Sequence, residues 1–147
     1  MTSDHAQKGQ ALVIFVMVLA FVFSTLLYAL TDYAQVSTAY HVTDTAAQVG
    51  ASTAASTLDK DAFYRGEYRL AASALGDCYS AAGQQLSFSP VTLSGTKVSC
   101  SIQGTRVTVR ITATIYLIYS DLGPSVALKT QRSAQGAYGQ SHPISFP

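Results

Sequence analysis

The sequence predicts an α+β protein: a long N-terminal helix, a second helix and a small antiparallel β-sheet. Three observations carry this. No charge falls between Lys8 and Asp32, and the run Ala11–Leu30 is almost wholly apolar. After Leu30 no proline occurs until Pro90, and small and apolar side chains recur at helical spacing. From Lys97 onward apolar and polar residues alternate with the period of two that strands require.

The apolar run comes first. A bilayer core needs roughly 20 apolar residues in a helix, and Ala11–Leu30 meets that length. Its polar breaks, Ser24 and Thr25, can bond back to the preceding turn. A cleaved secretory signal and a buried core helix are the alternatives. The run exceeds the usual apolar region of a signal, about 7–15 residues, and no A-x-A site follows Leu27. Lys8 on the N-terminal flank favours a cytoplasmic N-terminus, with the rest of the chain on the outer side. Tyr28, Tyr33 and Tyr40 follow, as interfacial anchors or as ordinary amphipathic packing.

Helical spacing continues past the span. Tyr33, Val36, Tyr40, Ala47, Ala51 and Ala54 share one face. Ala46, Ala47, Gly50, Ala51, Ala54 and Ala55 form a stripe of small side chains, which lets another backbone approach closely. Gly50 costs helix stability unless something uses the space it leaves. A continuous helix from Gln10 to Thr57 is roughly 70 Å long, so it must project beyond the membrane. Leu58–Asp61 reads as a break, with Asp59 or Asp61 capping a second helix from Ala62 to Ala82. Phe63, Leu70, Ala74 and Cys78 mark its buried face, Gly66 weakens it and Gly83 stops it.

Gln84–Leu93 reads as a short β-like stretch interrupted by Pro90, and Ser94-Gly95 as a turn. In the strand that follows, Val98, Cys100 and Ile102 face one way. Gln103-Gly104 is a hairpin signal. Thr105–Tyr119 is the clearest strand: Val107, Val109, Ile111, Ala113, Ile115 and Leu117 face one side and Thr108, Arg110, Thr112 and Thr114 the other. Tyr116 and Ile118 interrupt the polar side, which predicts a cover at that end. A turn at Asp121–Pro124 leads to Val126–Ala137, with Val126 and Leu128 inward. The sheet then has three or four strands, and the small-residue stripe and second helix are its available covers. The 141–147 tail reads as irregular and flexible.

Cys78 and Cys100 lie beyond the span. An even pair there suits a disulfide in an oxidising compartment; two buried free thiols is the alternative. A bond would staple the second helix to the sheet.

Composition excludes several functions. Charged residues are 12% of the chain, about half the usual share. The basic residues are scattered in sequence, without the stripe nucleic-acid binding needs. His5, His41 and His142 fall in unrelated segments, and no phosphate loop, HExxH, GxSxG or CxxC occurs. The reading is therefore of a non-enzyme with no cofactor, metal or small-molecule substrate.

Lys8-Gly9-Gln10-Ala11-Leu12-Val13, then a hydrophobic residue, Phe15 and the apolar run, resembles the start of TadE/TadG-like pilus-assembly proteins. These are pseudopilin-like subunits of the tight-adherence (Flp-type) system. Asp32-Tyr33-Ala34 and the Ala-rich stretch from Thr45 to Ala55 are similar too, as is a β-rich end preceded by a cysteine. The resemblance covers roughly the first 55 residues closely and the remainder in layout. It implies a pilin-like fold in the bacterial inner membrane, and a minor structural or assembly component of a Tad-type pilus or related secretion system. It also implies other pilin-like subunits or Tad assembly proteins as partners and a prepilin-type peptidase cutting between Gly9 and Gln10. The small side chains from Ala46 to Ala55 offer a neighbour's helix a close contact. Residues 1–9 are then a cytoplasmic leader, 10–31 the span, 32–58 a projecting helix and 59–140 the extracytoplasmic α+β domain. The chain departs from the family at Ile14, where members commonly carry Glu. In pilins that carboxylate is thought to pair with a neighbour's N-terminal amine; without it, a minor subunit fits better than a self-polymerising one. A membrane-anchored extracytoplasmic binding module unrelated to pili is the second reading.

Overall fold

One unbroken helix organises the chain. The computed structural model describes residues 3–117 and 125–136. Helix α1 spans Ser3–Ser56, about 80 Å at 1.5 Å per residue. Two shorter helices follow, α2 (Lys60–Tyr64) and α3 (Ala74–Ser87). Then come strands β1 (Ser94–Gln103), β2 (Arg106–Tyr116) and β3 (Ser125–Gln135), an antiparallel sheet in the order β1-β2-β3.

The two halves of α1 have different surroundings. Every large apolar side chain from Leu12 to Leu30 is at least 44% exposed, so this half packs on nothing else in the described chain. It is therefore not a core helix of the described domain, and by length and composition α1 is long and apolar enough to cross a membrane. Ser24 and Thr25 donate back to Phe21 and Val22 carbonyls, as their place in an apolar run demands. The second half is the spine of the folded domain. Ala39, Thr43, Ala46, Ala47, Ala51 and Ala54 are buried beneath α3 and the sheet.

The core is a layer between that spine and one face of the sheet. Central strand β2 supplies Val107, Val109, Ile111 and Ile115, its largest fully buried side chains. Each gains about 1.5–3 kcal/mol from burial. Leu128 of β3 joins Ile115 and Ala39 at the end nearer the apolar run. Big side chains from the sheet thus meet small ones from the helices, which lets backbones sit close while the layer stays filled. Thr43, buried on α1, bonds its own turn through Oγ1 to Ala39 O at 3.0 Å, and its carbonyl accepts from Thr130 Oγ1 at 3.4 Å.

Several expectations need correction. The second helix is two helices. Gly66 adopts φ 78°, and the Gly66 and Glu67 N–H groups donate back to Phe63 and Ala62 carbonyls. This is a Schellman termination, which ends α2 instead of merely weakening it. Phe63 is half-exposed, whereas Ala74 and Cys78 are buried as expected. Residues between Leu58 and Leu70 form an excursion, closed at its base by an antiparallel bridge between those two. Gly83 does not stop α3. Packing of Cys78, Ala82 and Leu86 on the core carries the helix past it to Ser87, three residues before Pro90.

It follows that Gln84–Leu93 contains no strand. Ser94-Gly95 is no turn either: it lies inside β1, where the register shifts between Ser94 and Lys97. On α1, Tyr33 and Tyr40 are exposed, while Val36, Ala47, Ala51 and Ala54 of the same expected face pack on the core, joined there by Ala39 and Thr43. Tyr116 is 67% exposed and nothing described covers it. The Gln103-Gly104 hairpin is present, with Gly104 at φ 62°, where an L side chain would be strained. The expected Asp121–Pro124 turn, Ile118, Tyr119, Ala137 and the 141–147 tail lie outside the described residues.

Candidate functional site

The candidate site residues fall on the α1 stripe, the α3–β1 junction and the two sheet faces. Cys78 of α3 and Cys100 of β1 form a disulfide, with Cα atoms 6.5 Å apart in space and a separation of 22 in sequence. Beside it the Cys100 N–H, on the free edge of β1, donates to the Tyr79 hydroxyl at 3.3 Å. A covalent bond and a hydrogen bond thus fasten α3 to the edge strand.

The small-residue stripe is used within the chain. A side chain at Gly50 would place its Cβ 3.1 Å from both Ala82 Cβ and the Cys78 carbonyl oxygen of α3. At Gly50 the two helices approach too closely for a side chain to fit without a shift. Ala46, Ala47, Ala51 and Ala54 are no more than 1% exposed, and Ala55 6%. The partner that the stripe accommodates is therefore α3 with the sheet, which leaves no open seam there for a neighbour's helix. Gly9 and Gln10 lie in the unbroken backbone of α1.

Sequence reasoning missed one feature of the site entirely. Arg132 of β3 reaches Asp44 of α1 in a two-pronged ion pair, Nε to Oδ1 and Nη2 to Oδ2, both 2.7 Å. The Arg132 hydrogen bonds hold the Asp44 carboxyl below its ordinary range, against a smaller opposing effect of burial. Asp44 in turn raises the Arg132 guanidinium. A readable signal existed. Arg132 shares strand parity with Val126 and Leu128, so it is a cation on the inward face and needs a partner.

Elsewhere Asp32, just past the apolar run, has Oδ1 buried without a hydrogen-bond partner among the described residues. Asp59 caps α2 by accepting from the Asp61 and Ala62 N–H groups. His41 sits edge-on to Tyr40 on α1, while His142 lies outside the described residues. Among the described residues no three metal-ligating side chains converge.

No protein family's sequence profile matches the chain, and no curated protein or solved structure is significantly similar to it. What the fold and site define is a class: a single long helix, apolar and exposed in its first half, carrying a disulfide-fastened α+β domain on its second.

Proposed function

We propose that this protein is a minor pilin-like structural or assembly component of a Tad-type pilus or related secretion system, anchored in the bacterial inner membrane with its α+β domain outside. The observation that carries this reading is the continuity of α1. The same helix supplies the exposed apolar segment and the spine of the sheet, with no linker between them. A subunit of that form can pack its apolar half among other helices while presenting its domain at a fixed height. The Lys8–Val13 motif supports the assignment, and the disulfide supports an oxidising compartment for the domain. Ile14 supports a minor place: without a carboxylate there, copies have no partner within the bilayer for one another's N-terminal ammonium, a charge that is costly unpaired.

Mass spectrometry of membrane-extracted protein from a strain with active prepilin-type peptidase tests the proposal. The expected N-terminal peptide begins at Gln10. A peptide retaining Thr2 and Lys8 refutes processing and, with it, membership of a pilus system.

A further inference from the structure

The fold segregates charge in a way that chain order conceals. The three strands hold five charged residues, all cations, and no Asp or Glu. Arg132 is turned toward α1 and neutralised by Asp44. The other four, Lys97, Arg106, Arg110 and Lys129, share the opposite face by strand parity, and all are exposed.

Register brings three of them together. Lys97, Thr112 and Lys129 form one row across the sheet, and Ser99, Arg110 and Gln131 form the next. Thr112 is thus flanked by a lysine on each side, with Arg110 two residues along its own strand. Arg110 donates from Nε and Nη2 to Gln131 Oε1 at 3.3 and 2.9 Å. A neutral amide therefore holds the guanidinium over the face without cancelling its charge, and other N–H groups remain for a ligand. From that row to the Gln103-Arg106 end, every outward side chain is a hydroxyl, an amide or a cation.

An acid-free cationic face calls for an anionic occupant. A second copy supplies no match: residues 57–87 interleave four acids with three bases, so no single-sign surface opposes the sheet. Lipid headgroups meet at most one end of the face. Lys129 lies between Leu128, which packs with Ala39, and Thr130, which meets Thr43, so its row is about 14–20 Å past the apolar segment. Arg106, opposite Gln135 and so near Gly136 and Ala55, is about 37 Å past it, far beyond the Debye length of roughly 8–10 Å. No aromatic side chain lies in those rows, so unpaired bases find nothing to stack on. In an oxidising exterior, the extended polyanion that remains is a glycan. We propose that this face binds an acidic polysaccharide, its carboxylates meeting Arg110, Lys97 and Lys129. This rests on exterior placement of the sheet, not on a pilus role.

The test uses full-length protein in detergent and immobilised polygalacturonate, with uncharged dextran and mixed-sequence duplex DNA as comparisons. Binding of polygalacturonate is expected at low salt, weakening steeply as salt rises, with none to dextran. The triple variant Lys97→Gln/Arg110→Gln/Lys129→Gln should lose at least about tenfold in affinity. Lys60→Gln/Arg65→Gln, with charge removed away from the sheet, should bind as the unaltered protein does. Equal binding by the triple variant, equal binding of dextran, or tighter binding of duplex DNA at matched charge would overturn the proposal. The salt and dextran comparisons need no variant, so they decide the matter even if the triple variant folds poorly. Because the assay is made in vitro, a failed N-terminal processing result leaves it readable.

Discussion

Asp44 and Arg132 join elements that are 88 residues apart in sequence, across the boundary between spine and sheet. Because Asp44 titrates lower folded than unfolded, its contribution is whole above the unfolded value of about 3.9. It is lost as pH falls through the lower folded-state value. Thermal unfolding of the parent and Asp44→Asn should therefore differ at neutral pH, the variant being less stable, and the gap should shrink as pH is lowered below about 4. A gap that is constant down to pH 2 would mean that the pair contributes nothing through charge. Gly50 offers a second measurement at this scale. Its neighbours in α3 are a main-chain oxygen and a Cβ, and the disulfide restrains α3 from retreating. Gly50→Leu should cost about 1–3 kcal/mol by overpacking, read as a lowered melting temperature. The same change at Gly83, where an added Cβ meets nothing within 4 Å, should be close to neutral or stabilising.

Among the elements, the disulfide is the strongest constraint on how α3 meets the sheet. Opening a loop of 22 residues by Cys100→Ser should destabilise by about 3 kcal/mol. Thiol labelling of denatured, unreduced parent protein should find neither cysteine free. Labelling of both would show that the Cys78–Cys100 bond does not form. The strands were readable because alternation survives in them almost unbroken: each inward residue of β2 from Val107 to Ile115 is buried, as period two requires. The helices after α1 were read less well, for two physical reasons. The propensity cost of Gly66 is visible in sequence, while its use as a left-handed terminus depends on hydrogen bonds that only the folded turn displays. At Gly83 local preference favours a stop, but the core contacts of Ala82 and Leu86, which sequence does not display, outweigh it. The site was legible in part. Cys78 and Cys100 were identified as a possible pair, but the cationic face was hidden because its members come from three strands.

At the scale of the whole molecule, the apolar half of α1 and the folded domain do not share a core. Removing residues 1–31 should therefore leave a domain that keeps its disulfide and its sheet. Its melting temperature should stay within a few degrees of the full-length protein in detergent, and circular dichroism should show lower helix content by the deleted residues. Loss of cooperative unfolding in the truncated chain would show that the apolar half supports the domain after all. Solubility should also change, since the deletion removes the exposed run from Leu12 to Leu30 and leaves mainly exposed tyrosines, two of them clustered with Phe63.

The absence of a joint in α1 has a mechanical meaning. A domain hung from a flexible tether tumbles, and a pull on it first straightens the tether. Here a pull on the domain loads the helix at once. β3 lies alongside α1, with Leu128 level with Ala39, Thr130 with Thr43, Arg132 with Asp44 and Gly136 with Ala55. Force along the axis is then borne in shear, shared over that whole line of contacts instead of unzipping them singly. Torsion is carried in the same way. Any rotation of the apolar half of α1 turns the cationic face by the same angle, so whatever packs on that half sets the compass bearing of the sheet.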